Sequence, residues 1–381
     1  MEFSAFGRRS YLHFSSVTFS AGVDKPTSLT PELAGDSNVA MLYPNSFLPF
    51  SIPGPVLSQV SMNTAICLLS EQTAVDRGRM IAARGHAISE LHRMLGSPQS
   101  STSDEAIAYV VRLVVNDLCY GETQHLRVHI DGVREMTRLR GGLASLGMDG
   151  TLAKMVIIAD MATSIAAEMS PSYPEQEVSE YTASLHNAES PAHGSPALDS
   201  PLAPSPKPAH PSSLEPDTTA LLNDIEFLVE TALALPQDPS SWELKKLDTM
   251  SKWVLNRLSG ETELKSPAAS YLHRAVKLAG LVYCRGIQER RRLTEVAGEA
   301  EVIEIVDAVR MVPLDIWKNL LGTLLWILGA ILPAARSTPR IYTSKSMVMA
   351  VSLQMALGDW GTTVTALSRA IKLQTWLCGR K

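Results

Sequence analysis

Six apolar residues, Ile107, Val110, Val111, Val114, Val115 and Leu118, recur at the spacing of one face of an α-helix. That period governs almost everything such a chain can become. The pattern returns in Leu152, Met155, Val156, Ala159, Ala162 and Ala166, and in Met80, Ile81, Ile88, Leu91 and Leu95. It returns again in Leu221, Leu222, Ile225, Leu228, Val229, Ala232 and Leu235. No segment alternates apolar and polar residues at the period of a strand, and no Asn-Gly hairpin pair occurs. The chain therefore reads as all-α, an irregular multi-helix bundle of about ten helices, with no short-period repeat of the solenoid kind.

Helix punctuation supports this reading. Ser103 is placed to cap the helix that starts at Asp104, and the acids Asp104 and Glu105 suit its first turn. Gly96-Ser97-Pro98 stops the helix before it, and Pro236 ends the one after Asp217. Further helices are expected near Trp242–Leu258, Ala268–Arg290, Glu299–Met311, Leu314–Leu332, Tyr342–Leu357 and Thr362–Leu377.

Two regions break the pattern. Residues 1–60 are rich in Ser, Pro and Gly, and Pro44, Pro49, Pro53 and Pro55 forbid a long helix. They read as an irregular arm, opening with an unstructured leader that lacks a signal-peptide apolar run. Residues 170–216 carry 10 prolines in 47 residues, with no apolar stripe, and read as a disordered Pro/Ser-rich linker. Its Ser-Pro steps at Ser170, Ser190, Ser195, Ser200 and Ser205 could accept phosphate from a proline-directed kinase, but a plain spacer with no regulation is the better account of them. The organisation is thus an arm (1–60), a first helical half (61–169), the linker (170–216) and a second helical half (217–381).

Composition narrows the function classes. Apolar residues make up 45% of the 381 and charged residues 19%, enough to bury a core. A net charge of −5 argues against coating nucleic acid by bulk charge. The cysteines Cys67, Cys119, Cys284 and Cys378 are scattered through apolar stretches and form no Cys-x-x-Cys pair, so they read as small core residues in a reducing compartment such as the cytoplasm. The run 320–335 holds 16 residues without a charge, short of the ~20 that a spanning helix needs. A buried helix is the better reading, and a membrane-associated protein using 314–335 is a third alternative.

Catalytic spacings are missing: there is no Gly-x-Ser-x-Gly elbow, phosphate-binding Gly-rich loop or His-Glu-x-x-His. His125 and His129, at i and i+4, share a helix face but lack a third ligand, so no metal and no cofactor is expected. The run Arg290-Arg291-Arg292 closes a helix and reads as solvated. The remaining enzyme or small-molecule reading would need polar groups converging in an apolar cavity, around His125, His129 and Asp160.

The most unusual stretch is His129-Ile-Asp-Gly-Val-Arg-Glu-Met-Thr-Arg-Leu-Arg-Gly-Gly-Leu143. It reads as a helix to Arg140, with Val133, Met136 and Arg140 near one face, ended by Gly141 and Gly142, which tolerate positive φ. Gly132 would let a neighbouring helix approach closely. This string resembles the fungal-specific transcription factor domain, the helical regulatory region of fungal zinc-cluster transcription factors, where a His-x-x-Gly-(Leu/Met)-x-x-Met helix runs into an Arg-Gly-Gly turn. His129, Gly132, Met136, Arg140, Gly141 and Gly142 match, Asp160 falls on the apolar helix that follows, and Trp326 stands in a Leu-Trp-apolar-Gly helix similar to the family's. The resemblance spans roughly 62–381 apart from the linker.

The family's DNA reader is a six-cysteine zinc cluster, which this sequence lacks. What the resemblance implies is a regulatory or interaction module in the nucleus, without catalysis. It would modulate transcription through protein contacts or a small-ligand pocket. Its partners would be the transcription machinery or a DNA-binding regulator, with homo- or heterodimers open, and neither direct sequence-specific DNA binding nor a membrane is expected.

Overall fold

The computed structural model describes residues 88–89, 91–97, 100–120, 123–188, 214–236, 239–260, 266–337 and 341–379. The expected arm (1–60), Cys67, Met80, Ile81 and the Ser-Pro steps at Ser190, Ser195, Ser200 and Ser205 lie outside them. All regular structure among the described residues is helical. The helices are α1 (Asp104–Tyr120), α2 (Thr123–Arg140), α3 (Thr151–Ala167), α4 (Glu175–Ala188), α5 (Pro216–Leu233), α6 (Ser241–Leu258) and α7 (Pro267–Glu289). After them come the short α8 (Leu293–Val296), then α9 (Glu299–Met311), short α10 (Leu314–Lys318), α11 (Leu321–Ile331), α12 (Ile341–Gly358) and α13 (Trp360–Cys378).

The expected stripes are the buried ones. Ile107, Val110, Val111, Val114, Val115 and Leu118 are all buried on α1, which packs along α2. Caps fall where the side chains allow. Ser103 Oγ accepts the Ala106 N–H at 3.2 Å, and Ser240 and Glu243 form a reciprocal capping box at the head of α6. In the helical segment before α1, Leu91 packs against the core as expected, but Ile88 and Leu95 are exposed and Met94 is the buried residue.

The two helical halves form one core. Helix α3 is buried along nearly its whole length and packs against α1, α12 and α13. Polar links cross the same boundary. Glu168, in the left-handed region at φ 49°, accepts the Leu293 N–H at 2.9 Å and the Thr294 hydroxyl at 2.6 Å. Gln374 donates to the Ile165 carbonyl at 3.2 Å, and Trp360 donates its indole N–H to Thr182 at 3.0 Å.

Two expectations change. First, the stretch 170–216 is not uniformly irregular: α4 forms inside it. Val178, Tyr181 and Leu185 recur on one face, with Val178 and Tyr181 buried, and Tyr181 meets Trp360 edge-on at 6.1 Å. The residues from 189 to 213 lie outside the described set. Second, the single helix expected over Leu314–Leu332 breaks at Asn319 and Leu320 into α10 and α11. The Asn319 side chain donates to the Asp315 carbonyl at 3.3 Å, satisfying a group that the break leaves open. The 11-residue α11 is core, packed on α7 and α12, and no helix among the described residues is long and apolar enough to cross a membrane.

Candidate functional site

Helix α2 carries a polar column along one side. Arg127, Asp131, Arg134 and Thr137 recur every three or four residues, and all grip the chain that leaves α3. Arg127 donates to the Ser170 carbonyl at 3.0 Å, and Asp131 accepts the Ser172 hydroxyl at 3.0 Å. The Arg134 guanidinium lies over the Tyr173 ring at 5.4 Å, and the Tyr173 hydroxyl donates to Thr137 at 3.0 Å. From the other side, the buried Asp160 carboxylate on α3 accepts the backbone N–H groups of Ser172 and Tyr173, each at 3.0 Å. Burial outweighs these two bonds and pushes the Asp160 carboxyl up to about 6.

At the far end of α2, Gly141 and Gly142 take φ of 110° and 95°. The Gly142 N–H reaches back to the Thr137 carbonyl at 2.9 Å, which closes the helix. Arg140 then turns to the head of α1, donating to the Thr102 carbonyl at 2.8 Å and pairing with Asp104 at 3.0 Å. Asp104 also accepts the Gly147 N–H at 3.2 Å, and a Cβ at Gly147 would collide with that carboxylate. Val133 and Met136 are buried, as their face requires.

Gly132 departs from expectation: a Cβ there would meet nothing within 4 Å, so no helix among the described residues approaches it closely. An interior helical glycine without a packing duty only costs backbone entropy. Gly132→Ala should therefore raise unfolding stability by about 0.5–1 kcal/mol, read from urea denaturation; a loss instead would show that the position needs glycine.

The candidate polar residues do not converge on one cavity. His129 Nε2 stands 3.1 Å from the buried Asp117 carboxylate on α1, while Asp160 serves the chain after α3. The His125 side chain lies outside the described set. No group of three or more His, Cys, Asp or Glu side chains among the described residues is placed to hold a metal ion. In the basic run, Arg290 donates to Asp248 at 2.8 Å and Arg291 to Glu295 at 3.1 Å. Burial raises the Cys284 thiol to about 12, as an inert core residue requires, whereas Cys378 is half-buried.

A cavity lies elsewhere, where both halves meet. It opens between α3, α5, α7, α11, α12 and α13, and its enclosed space is about 30 Å³, room for little more than water. Ile165, Val229, Leu325 and Leu373 give it apolar walls. Tyr283 and Trp326 stack at 5.0 Å, and the Tyr283 hydroxyl donates to the Trp326 carbonyl at 2.9 Å. A side chain at Gly329 would crowd that hydroxyl, at 3.1 Å from the Cβ position. At the mouth, Arg369 is held between Glu226 at 3.1 Å and Glu230 at 3.0 Å. Burial raises the Glu226 carboxyl, and Arg369 partly offsets this. Of the family-motif residues singled out in the sequence, Trp326 alone lines this pocket; Glu226 and Glu230 sit one turn apart on α5, and Arg369 lies about 140 positions away, so no local pattern joins them. In comparisons with known proteins no family model matches the chain, and neither a curated protein nor a solved structure matches it.

Proposed function

We propose that this chain is a helical regulatory module that modulates transcription through contacts with other proteins, the role implied by its resemblance to the fungal-specific transcription factor domain. One observation carries the reading. Polar residues singled out in the sequence are engaged in building the fold: Asp160 holds the chain after α3, Arg140 ties α2 to α1, and Arg290 pairs with α6. What this leaves for another molecule is surface. The module acts in the nucleus beside the transcription machinery or a DNA-binding regulator, and turnover is no part of its role. Selection from a random duplex pool at physiological salt tests this. The purified chain should enrich no sequence; tight binding to one specific duplex without a partner would contradict it.

A further inference from the structure

Helices α5 and α6 form an antiparallel pair whose outer side is unusually aromatic. Trp242 and Trp253 on α6 are 68% and 51% exposed, and Phe227 on α5 is 62% exposed. A large aromatic side chain left in water forfeits burial free energy, so three on one helix pair call for an occupant. Trp242 and Trp253 are 11 residues apart, three helical turns, which puts them on one stripe about 16 Å long. Arg257 pairs with Asp224 at 2.5 Å and so fixes the register of the two helices. One turn inward from that pair, Phe227 and Trp253 come level.

Charge along the α6 side of this face has one sign, and the acids beside Phe227 on α5 are paired, Asp224 with Arg257 and Glu230 with Arg369. The exposed charged residues of α6 are Lys245, Lys246, Lys252 and Arg257. Both acids of the helix are committed elsewhere: Glu243 closes the capping box with Ser240, and Asp248 accepts from Arg290. The Lys246 ammonium lies 5.6 Å from the Trp242 ring centre, and the Arg257 guanidinium 5.1 Å from that of Trp253. In a chain of net charge −5, this is a local cationic, aromatic strip.

We infer that the outer face of α5 and α6 docks an acidic amphipathic helix of a partner protein. The partner's apolar anchors would cover Trp242, Trp253 and Phe227, and its carboxylates would face the three lysines. Aromatic anchors give such an interface its affinity, and the like-signed rim steers an oppositely charged ligand. The inference gives the protein-contact reading above a place on the molecule and rests on it.

Titration calorimetry on the full chain tests it with three probes. These are a Trp-free amphipathic peptide of Leu and Glu, the same peptide with Lys in place of Glu, and vesicles of phosphatidylcholine with phosphatidylserine. The Glu peptide should bind, more weakly as salt rises, and the Lys peptide should not. Trp253→Ala and Trp242→Ala should each weaken binding about tenfold or more. Both side chains are exposed, so the variants should melt with the parent. Reversing Lys245, Lys246 and Lys252 to Glu should move the preference to the Lys peptide. Equal binding of both peptides, unchanged affinity in the Trp variants, or binding to the vesicles but not to the Glu peptide would overturn the inference. A specific duplex recovered in the selection experiment would instead sink the broader reading, so the two failures are distinguishable.

Discussion

Asp160→Ala is expected to cost about 4 kcal/mol of unfolding free energy at pH 4.5 and about 2 kcal/mol at pH 7.5. The loss comes from two buried backbone N–H groups, at Ser172 and Tyr173, left without their acceptor. The pH trend follows from the raised carboxyl, about 6 in the fold against an ordinary 3.8. Between those values the folded chain holds a proton that the unfolded chain has released. Stability contributed by this group is therefore full below 3.8 and is lost as pH rises through 6. The variant lacks the group and escapes that loss, so the gap narrows by about 2 kcal/mol between pH 4.5 and 7.5. Urea denaturation of both proteins at the two pH values measures it. A gap that widens with pH would mean that the carboxylate is stabilised, not strained, by its site. Asp160→Asn keeps the shape but offers one acceptor for two donors, so it should fall between the parent and the alanine variant at pH 4.5.

Trp317→Ala should be as damaging, at about 3–5 kcal/mol. Trp317 on α10 is 2% exposed, and its indole N–H donates to the Val309 carbonyl at 3.1 Å. Truncation opens a cavity under the break between α10 and α11 and removes a donor from a buried carbonyl. Trp317→Phe retains most of the packing and loses the hydrogen bond alone, so about 1–2 kcal/mol is expected. A cost below about 1 kcal/mol for the alanine variant would show that the neighbouring helices collapse onto the site, and that the indole does not hold this corner.

The same two residues show what a sequence discloses and what it withholds. The periodic stripes located the core of α1, α3 and α5, because helical burial repeats at a fixed spacing. The Gly141-Gly142 stop was legible because positive φ has few tenants. Trp317 was not, since it sits in a single turn too short to show a period. Helix α4 was hidden by averaging over a proline-rich window: Val178, Tyr181 and Leu185 form a stripe only when taken without their neighbours. Asp160 was visible as a charge on an apolar helix, but its partners lie 12 and 13 residues away on an irregular segment. The pocket was the least legible feature. Its mouth joins Arg369 on α13 to Glu226 and Glu230 on α5, a pairing made only once both halves have packed on α3. Gly132 shows the converse: a glycine inside a helix suggests close packing, and here it faces open space.

The claim that this module regulates transcription by contact is tested most directly by tethering. Fused to an unrelated DNA-binding domain, the chain should change expression from a reporter bearing that domain's sites several-fold, up or down, relative to the domain alone. The effect should fall in the unstable Asp160→Ala and Trp317→Ala variants in step with their loss of folded protein. Reporter output indistinguishable from that of the DNA-binding domain alone, with the fusion folded, nuclear and bound at its sites, would contradict the account.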